Sequence, residues 1–289
     1  HQEHIIPVVD AAIKESGMPK SKLSAIAYTQ GPGLLGSLLV GASFAKGMSQ
    51  GLDIPLVEVN HLQAHILSLF IAKEGEETRQ PPFPFLCLTV SGGHTQIVHV
   101  RGKDEMEILG RTLDDAAGEA FDKGARVLGL EYPGGPLIDR FARQGDPEKF
   151  RFPHPEISGY NYSFSGLKTA FLYFVRDRMN EDENFISDNL PHLCASLQKS
   201  IADILLDKLQ RAAQDSGITH IAIAGGVSAN SGLRHALQEL AVKNKWKIYH
   251  PDLAYCTDNA AMIATAGYFK YLSGDMASIT STPEASLPF

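Results

Sequence analysis

The sequence predicts an α/β protein with a partly parallel sheet, and three observations lead there. Short apolar runs alternate with helical patterns over residues 25–60 and again over 220–272. Those runs are too short for helices, and turn residues bound them. The chain has 289 residues, 44% hydrophobic and 20% charged, the composition of an ordinary globular protein of about two domains.

Residues 4–16 place Ile5, Ile6, Val8, Val9, Ala12 and Ile13 at helical spacing. A strand at 25–29 runs into the turn Gln30-Gly31-Pro32-Gly33, and a helix rich in small residues covers 34–51. Strand 55–59, a helix carrying His61 and His65, and strand 85–90 follow. Over 95–113, "TQIVHV" and "MEILGRTL" read as a meander. Helices are expected over 116–128, 136–143, 168–179 and about 188–215, with 151–166 as an ordered loop rich in Pro, Gly and aromatics. Strand 220–224, helix 230–242, strand 246–250 and helix 258–272 close the pattern. The Ser-, Thr- and Pro-rich tail past Gly274 is expected to fray. The break between lobes is expected near Gly93, giving one lobe of 1–93 plus 259–289 and another of 94–258.

A net charge of −7 argues against a broad nucleic-acid surface, because phosphate contacts need clustered Lys and Arg. Two basic groups, Arg140/Arg143/Lys149/Arg151 and Lys243/Lys245/Lys247, each read as a solvated face. Three widely spaced cysteines, Cys87, Cys194 and Cys256, favour a reducing compartment over a disulfide framework. The apolar run 33–45 is too short to span a bilayer. The chain opens on His1 rather than Met, so export is not judged from this start.

Four stretches carry chemistry. In "NHLQAHI" His61 and His65 are four apart, so they share a helix face and can hold one metal ion. The spacing alone leaves a pair of surface histidines equally open. Zinc peptidases place a Glu directly after the first His; Leu62 stands there instead. Asp258, in "CTDNAAM", is the candidate third ligand if the fold brings it close. In "TVSGGHTQ" the glycine pair lets backbone approach a ligand and form an anion nest, or simply makes a hairpin turn. "AGGVSAN" joins strand to helix with backbone donors that suit a phosphate or ribose; it lacks the dinucleotide fingerprint, and a helix cap by Ser228 or Asn230 explains it as well. In "DDAAGEAFDK" the carboxylates Asp114, Asp115, Glu119 and Asp122 need only the helix dipole, although Asp122 followed by the "YPGGP" turn can hold a polyol.

Taken in order, "NHLQAHI", "TVSGGHTQ", "DDAAGEAFDK", "YPGGP", "SFSGLKTA", "GGVSAN" and "TDNAAMIA" closely resemble the TsaD (Gcp) family, tRNA adenosine threonylcarbamoyltransferases once labelled O-sialoglycoprotein endopeptidases. "HQEHIIPVV" and "GPGLLGSLLVG" fit too, and "SFSGLKTAF" is similar to the bacterial and mitochondrial branch. The resemblance implies a two-lobed actin/Hsp70/sugar-kinase-like fold with a ligand cleft between lobes. It implies a metal, iron or zinc, on His61, His65 and Asp258, and a glycine turn, Thr89, Val90, Ser91, Gly92 and Gly93, facing the phosphate and acyl part of the ligand. Asp122, Gly135 and Asp139 match positions that hold ribose and adenine, and Asn230 matches the Asn of the G-G-x-x-x-N motif.

The implied reaction moves threonylcarbamoyl from threonylcarbamoyl-AMP to N6 of adenosine 37 in tRNAs reading codons that begin with A. No enzyme nucleophile is required and no general base is assigned; His94 is a conceivable base on sequence position alone. The implied partners are tRNA and, in a bacterium, a TsaB-like paralogue and a TsaE-like ATPase. The implied location is cytoplasmic, or the mitochondrial matrix for that branch, with no membrane association. Rival readings are a metallopeptidase and a non-catalytic nucleotide-binding scaffold. The family starts with a strand resembling "ILGIETSCDDT" and a "GGVVPE" loop before the equivalent of His1. Both are absent here, so this piece is expected to be poorly stable or to bind ligand weakly.

Overall fold

The structure, a computed structural model, describes residues 1–72, 75 and 79–289. In chain order the helices and strands are α1 (Gln2–Ser16), β1 (Ile26–Gly31), α2 (Leu35–Leu52), β2 (Leu56–Asn60), α3 (His61–Leu67), β3 (Phe85–Val90), β4 (Thr95–Val100), β5 (Met106–Arg111) and α4 (Ala117–Val127). Then come α5 (Gly134–Ala142), α6 (Ser165–Glu181), α7 (Phe185–Ser216), β6 (His220–Ala224), α8 (Ser231–Asn244), β7 (Lys247–Tyr249) and α9 (Ala260–Ser273).

The chain divides into two compact units, His1–Thr78 with Asp258–Phe289, and Arg79–Thr257. The division therefore falls fifteen residues earlier than a break after Gly93, and Asp258 joins the unit that holds the histidines. The reason is strand pairing. β3 is hydrogen-bonded on one side to β4 and on the other to β6, so it is central to the second unit's sheet and cannot leave with the first.

In the first unit β1 and β2 pair in parallel, with Tyr28 beside Glu58. Period-two alternation gives the pair two faces. Tyr28 and Leu56 meet Ala42 and Ala45 of α2, with Ile26 at the margin. On the other face Gly267 of α9 stands so close to Ala27 that a Cβ there would lie 2.5 Å from the Ala27 methyl. The tail does not fray. Ala277 N–H bonds Leu56 O, Glu284 N–H bonds Gln30 O at 2.9 Å, and Gly33 N–H bonds Ala285 O at 3.1 Å.

In the second unit five strands run in the order β5-β4-β3-β6-β7, antiparallel over the first three and parallel over the last three. Leu86, Leu88, Val90, Ile97, Ile221 and Ile223 form the sheet's share of a core completed by Phe121, Ile138, Leu167, Phe171, Leu197 and Leu205 from α4 to α7. The 151–166 stretch is an ordered loop up to the start of α6. Phe152 packs on Phe171 and Phe174, and buried Lys208 donates to the carbonyls of Ile157 and Gly159.

Candidate functional site

Local chemistry places the histidines. Asn60 ends β2 and caps α3, its Oδ1 accepting from Leu62 N–H at 2.9 Å and Gln63 N–H at 3.2 Å. That cap turns the chain from strand to helix at His61, and 3.6 residues per turn then bring His65 onto the same face. Their rings meet edge to face with centroids 4.7 Å apart. Asn259 caps α9 in the same way, accepting from Met262 N–H at 2.8 Å, and so fixes Asp258 just ahead of the helix.

These two capped ends converge. Asp258 Oδ1 lies 3.3 Å from His61 Nε2 and 3.2 Å from His65 Nε2. A cation with ligand bonds of about 2.0–2.1 Å in tetrahedral geometry separates its ligand atoms by about 3.3 Å; both histidine–carboxylate spacings match that, and all three ligand atoms lie within 4.8 Å of one another. The side chains grade from sealed to open: His65 is 0% exposed, His61 21% and Asp258 78%. Hydrogen bonds from His61 and then His65 outweigh burial and hold the Asp258 carboxyl well below the usual carboxylate range. His65 Nδ1 is buried with no partner among the described residues. A cavity of about 1180 Å³ in this unit, walled by Ile5, Val9, Leu38, Phe44 and Met262, also has His61 and Asp258 in its lining.

The glycine turn lies in the second unit. Thr89 and Val90 end β3 fully buried, and Ser91 closes a hairpin, its N–H donating to His94 O at 2.8 Å while its Oγ accepts from His94 N–H at 3.1 Å. Neither Gly92 nor Gly93 has positive φ, and a Cβ at either would meet nothing within 4 Å. The fold does not require glycine there. Their N–H groups find no acceptor among the described residues, which leaves two exposed donors side by side.

The remaining candidates have structural work as well. Asp122 Oδ1 accepts from Gly134 N–H at 2.8 Å and Gly135 N–H at 3.4 Å, capping α5. Asp139 Oδ1 accepts from Ser231 N–H and Oγ–H at 3.0 and 2.7 Å, while Oδ2 accepts from Arg143. Asn230 caps α8 through Leu233 N–H at 2.8 Å and donates to Gln198 Oε1 at 2.8 Å. Asp139 and Asn230 thus meet at one helix end, and Asp122 serves the start of the helix that carries Asp139. Asp114 and Asp115 are committed elsewhere, to the first turn of α6 and to Lys123 and Lys168.

The family model described as TsaD, tRNA N6-adenosine threonylcarbamoyltransferase, matches residues 1–265. The chain belongs to that family. The protein named tRNA N6-adenosine threonylcarbamoyltransferase in Porphyromonas gingivalis is 57% identical over 98% of this chain and 83% of its own length. Among solved structures, full-length HypF in its phosphate- and nucleotide-bound form superposes with a TM-score of 0.62 at 13% identity, over 92% of this chain and 41% of that one. The (R)-2-hydroxyglutaryl-CoA dehydratase component A of Acidaminococcus fermentans gives 0.51 at 15% identity, over 90% and 81%. These two likenesses bear on fold alone.

Each unit holds its own candidate chemistry: a His₂–Asp donor set in the first, and in the second a glycine turn at the end of β3. Sequence reasoning assigned neither Asn60 nor Gly118 a part. Asn60 was legible as a cap, since an Asn before a helical run is a start signal. Gly118 was legible only as a glycine set in a helix without apparent cause.

Proposed function

We propose that this chain transfers threonylcarbamoyl from threonylcarbamoyl-AMP to N6 of adenosine 37 in tRNAs reading codons that begin with A. The observation that carries the reading is the spacing of His61 Nε2, His65 Nε2 and Asp258 Oδ1 in a chain of this family. The ion they would hold is one iron or zinc, since a mixed nitrogen–oxygen set suits both. Such an ion supplies Lewis acidity and a template for the donor's anionic groups.

The chain's own residues do the rest. The N6 amine attacks the carbamoyl carbon, the bond from that carbon to the phosphate oxygen breaks, AMP departs as the anion and the amine gives up its proton to solvent water. AMP leaves readily as an anion, so no nucleophile from the chain is called for. In this reading the Gly92 and Gly93 amides donate to the acyl oxygen as charge grows on it. The free Oδ2 of Asp122 accepts from a ribose hydroxyl, with Gly135, Asp139 and Asn230 shaping the nucleoside side. A TsaB-like paralogue, a TsaE-like ATPase and a cytoplasmic location belong to the same reading, supported by the bacterial relative. Among the described residues no helix is long and apolar enough to cross a membrane.

The test is transfer from labelled threonylcarbamoyl-AMP to unmodified tRNA by the wild type and by His61→Ala. The variant is expected to lose at least about 100-fold while remaining folded; full activity at saturating donor would overturn the reading. Peptide hydrolysis lacks its base here, because buried Leu62 follows His61.

A further inference from the structure

The end of β3 is gripped from two sides by backbone that only glycine admits. Gly118, the second residue of α4, comes so near the glycine turn that a Cβ would lie 2.5 Å from Ser91 O and 2.8 Å from Gly92 Cα. Gly225, with φ +88°, comes from the other side, where a Cβ would lie 2.4 Å from Val90 O. Ala117 N–H donates to Thr95 Oγ1 at 2.9 Å, which ties the start of α4 to the far strand of the same hairpin. Glycine in a helix costs about 1 kcal/mol relative to alanine, so closeness at Gly118 is obtained against local preference. The open faces of Gly92 and Gly93 are the surface this grip holds in place.

We propose that Gly118 is a positioning residue for acyl transfer, setting how far the Ser91–Gly92 peptide sits toward α4 and so where the two free amides meet the reacting oxygen. The inference rests on the reading of this turn as donor-binding. A methyl at 118 forces the turn to give by roughly an ångström before ordinary contact is restored. Misplacing a binding group by that much can cost about 100-fold in rate.

The test compares wild type, Gly118→Ala and Gly93→Ala by transfer kinetics at varied threonylcarbamoyl-AMP, thermal midpoint and ¹H–¹⁵N amide resonances. Gly118→Ala is expected to lower kcat by about 10–100-fold with a smaller change in KM. The resonances of residues 91–94 should shift while those of the distant strand β7 stay in place. Gly93→Ala, which puts a methyl on the open face, is expected to raise KM. An unchanged kcat in Gly118→Ala, or a fall accompanied by shifts throughout the sheet, overturns the positioning role. If both variants transfer normally, it is the donor-binding reading of the turn that fails. Should Gly118→Ala not fold, Thr95→Val removes the tether of α4 without adding a clash. A lowered kcat at constant KM in that variant then supports the proposal, and an unchanged kcat overturns it.

Discussion

His65, sealed within its unit, stands 3.2 Å through Nε2 from Oδ1 of Asp258, a residue 193 positions further along. Two asparagine caps set this meeting, Asn60 ahead of α3 and Asn259 ahead of α9. Asp258→Asn keeps the size of the side chain and removes its charge. Metal affinity, read by titration calorimetry, is expected to fall by about 100-fold or more with the helical circular dichroism unchanged.

The tail past Gly274 is expected to support this centre. Asn60 Nδ2 donates to Pro288 O at 2.8 Å, so the residue that caps the histidine helix is itself held by the last turn of the chain. A Cβ at Gly31 would lie 2.0 Å from Glu284 O, where tail and β1 run side by side. Gly31→Ala should therefore release residues 275–289 to limited proteolysis, where the wild type resists. It should also cost about 2–3 kcal/mol through the lost backbone hydrogen bonds.

Much of the fold was legible because apolar period and turn residues are local signals. Helices α5 and α6 start two and three residues earlier than local signals predict, at Gly134 and Ser165. Their caps come from elsewhere in the chain: Asp122 reaches the N–H groups of Gly134 and Gly135, and Asp114 accepts from Phe164 N–H at 2.8 Å. The frayed tail was a compositional reading, and composition does not show backbone bonds to Gln30 or Gly33. β3 belongs to the second unit's sheet, and an apolar run buried on both faces does not say which sheet it joins. At the site, the histidine spacing was plain, whereas Asp122, Asp139 and Asn230 proved to hold helix ends together.

Acid should loosen the link between α4 and α6. Burial pushes the Asp115 carboxyl up, but the ammonium groups of Lys123 and Lys168, each at 2.8 Å, outweigh it and hold it below its usual value. Asp114 is lowered too: burial again opposes, and the Ser163 hydroxyl and Phe164 N–H prevail. A depressed carboxylate stabilises the fold fully above its unfolded value near 4, and loses that contribution as pH drops through the lower folded value. The melting midpoint of Asp115→Asn is thus expected to lie below wild type at pH 7, by about 1.5–3 kcal/mol in stability. The two should converge below about pH 4.

Asn230→Asp separates two duties of one side chain. The carboxylate still accepts from Leu233 N–H and keeps the cap, yet it no longer donates to Gln198 Oε1. Loss of that buried bond sets two oxygens facing each other, so a cost of about 2 kcal/mol is expected in urea unfolding. Gln198→Ala in the same background should recover part of it.

The most direct measurement is the rate of threonylcarbamoyl transfer as metal is returned to chelator-treated protein. Transfer is expected to be nearly abolished without metal, to rise with each addition and to saturate at one ion per chain, while His65→Ala stays inactive at every concentration. Full transfer by the metal-free wild type, or by His65→Ala, would contradict the assignment of His61, His65 and Asp258 as the centre on which the reaction depends.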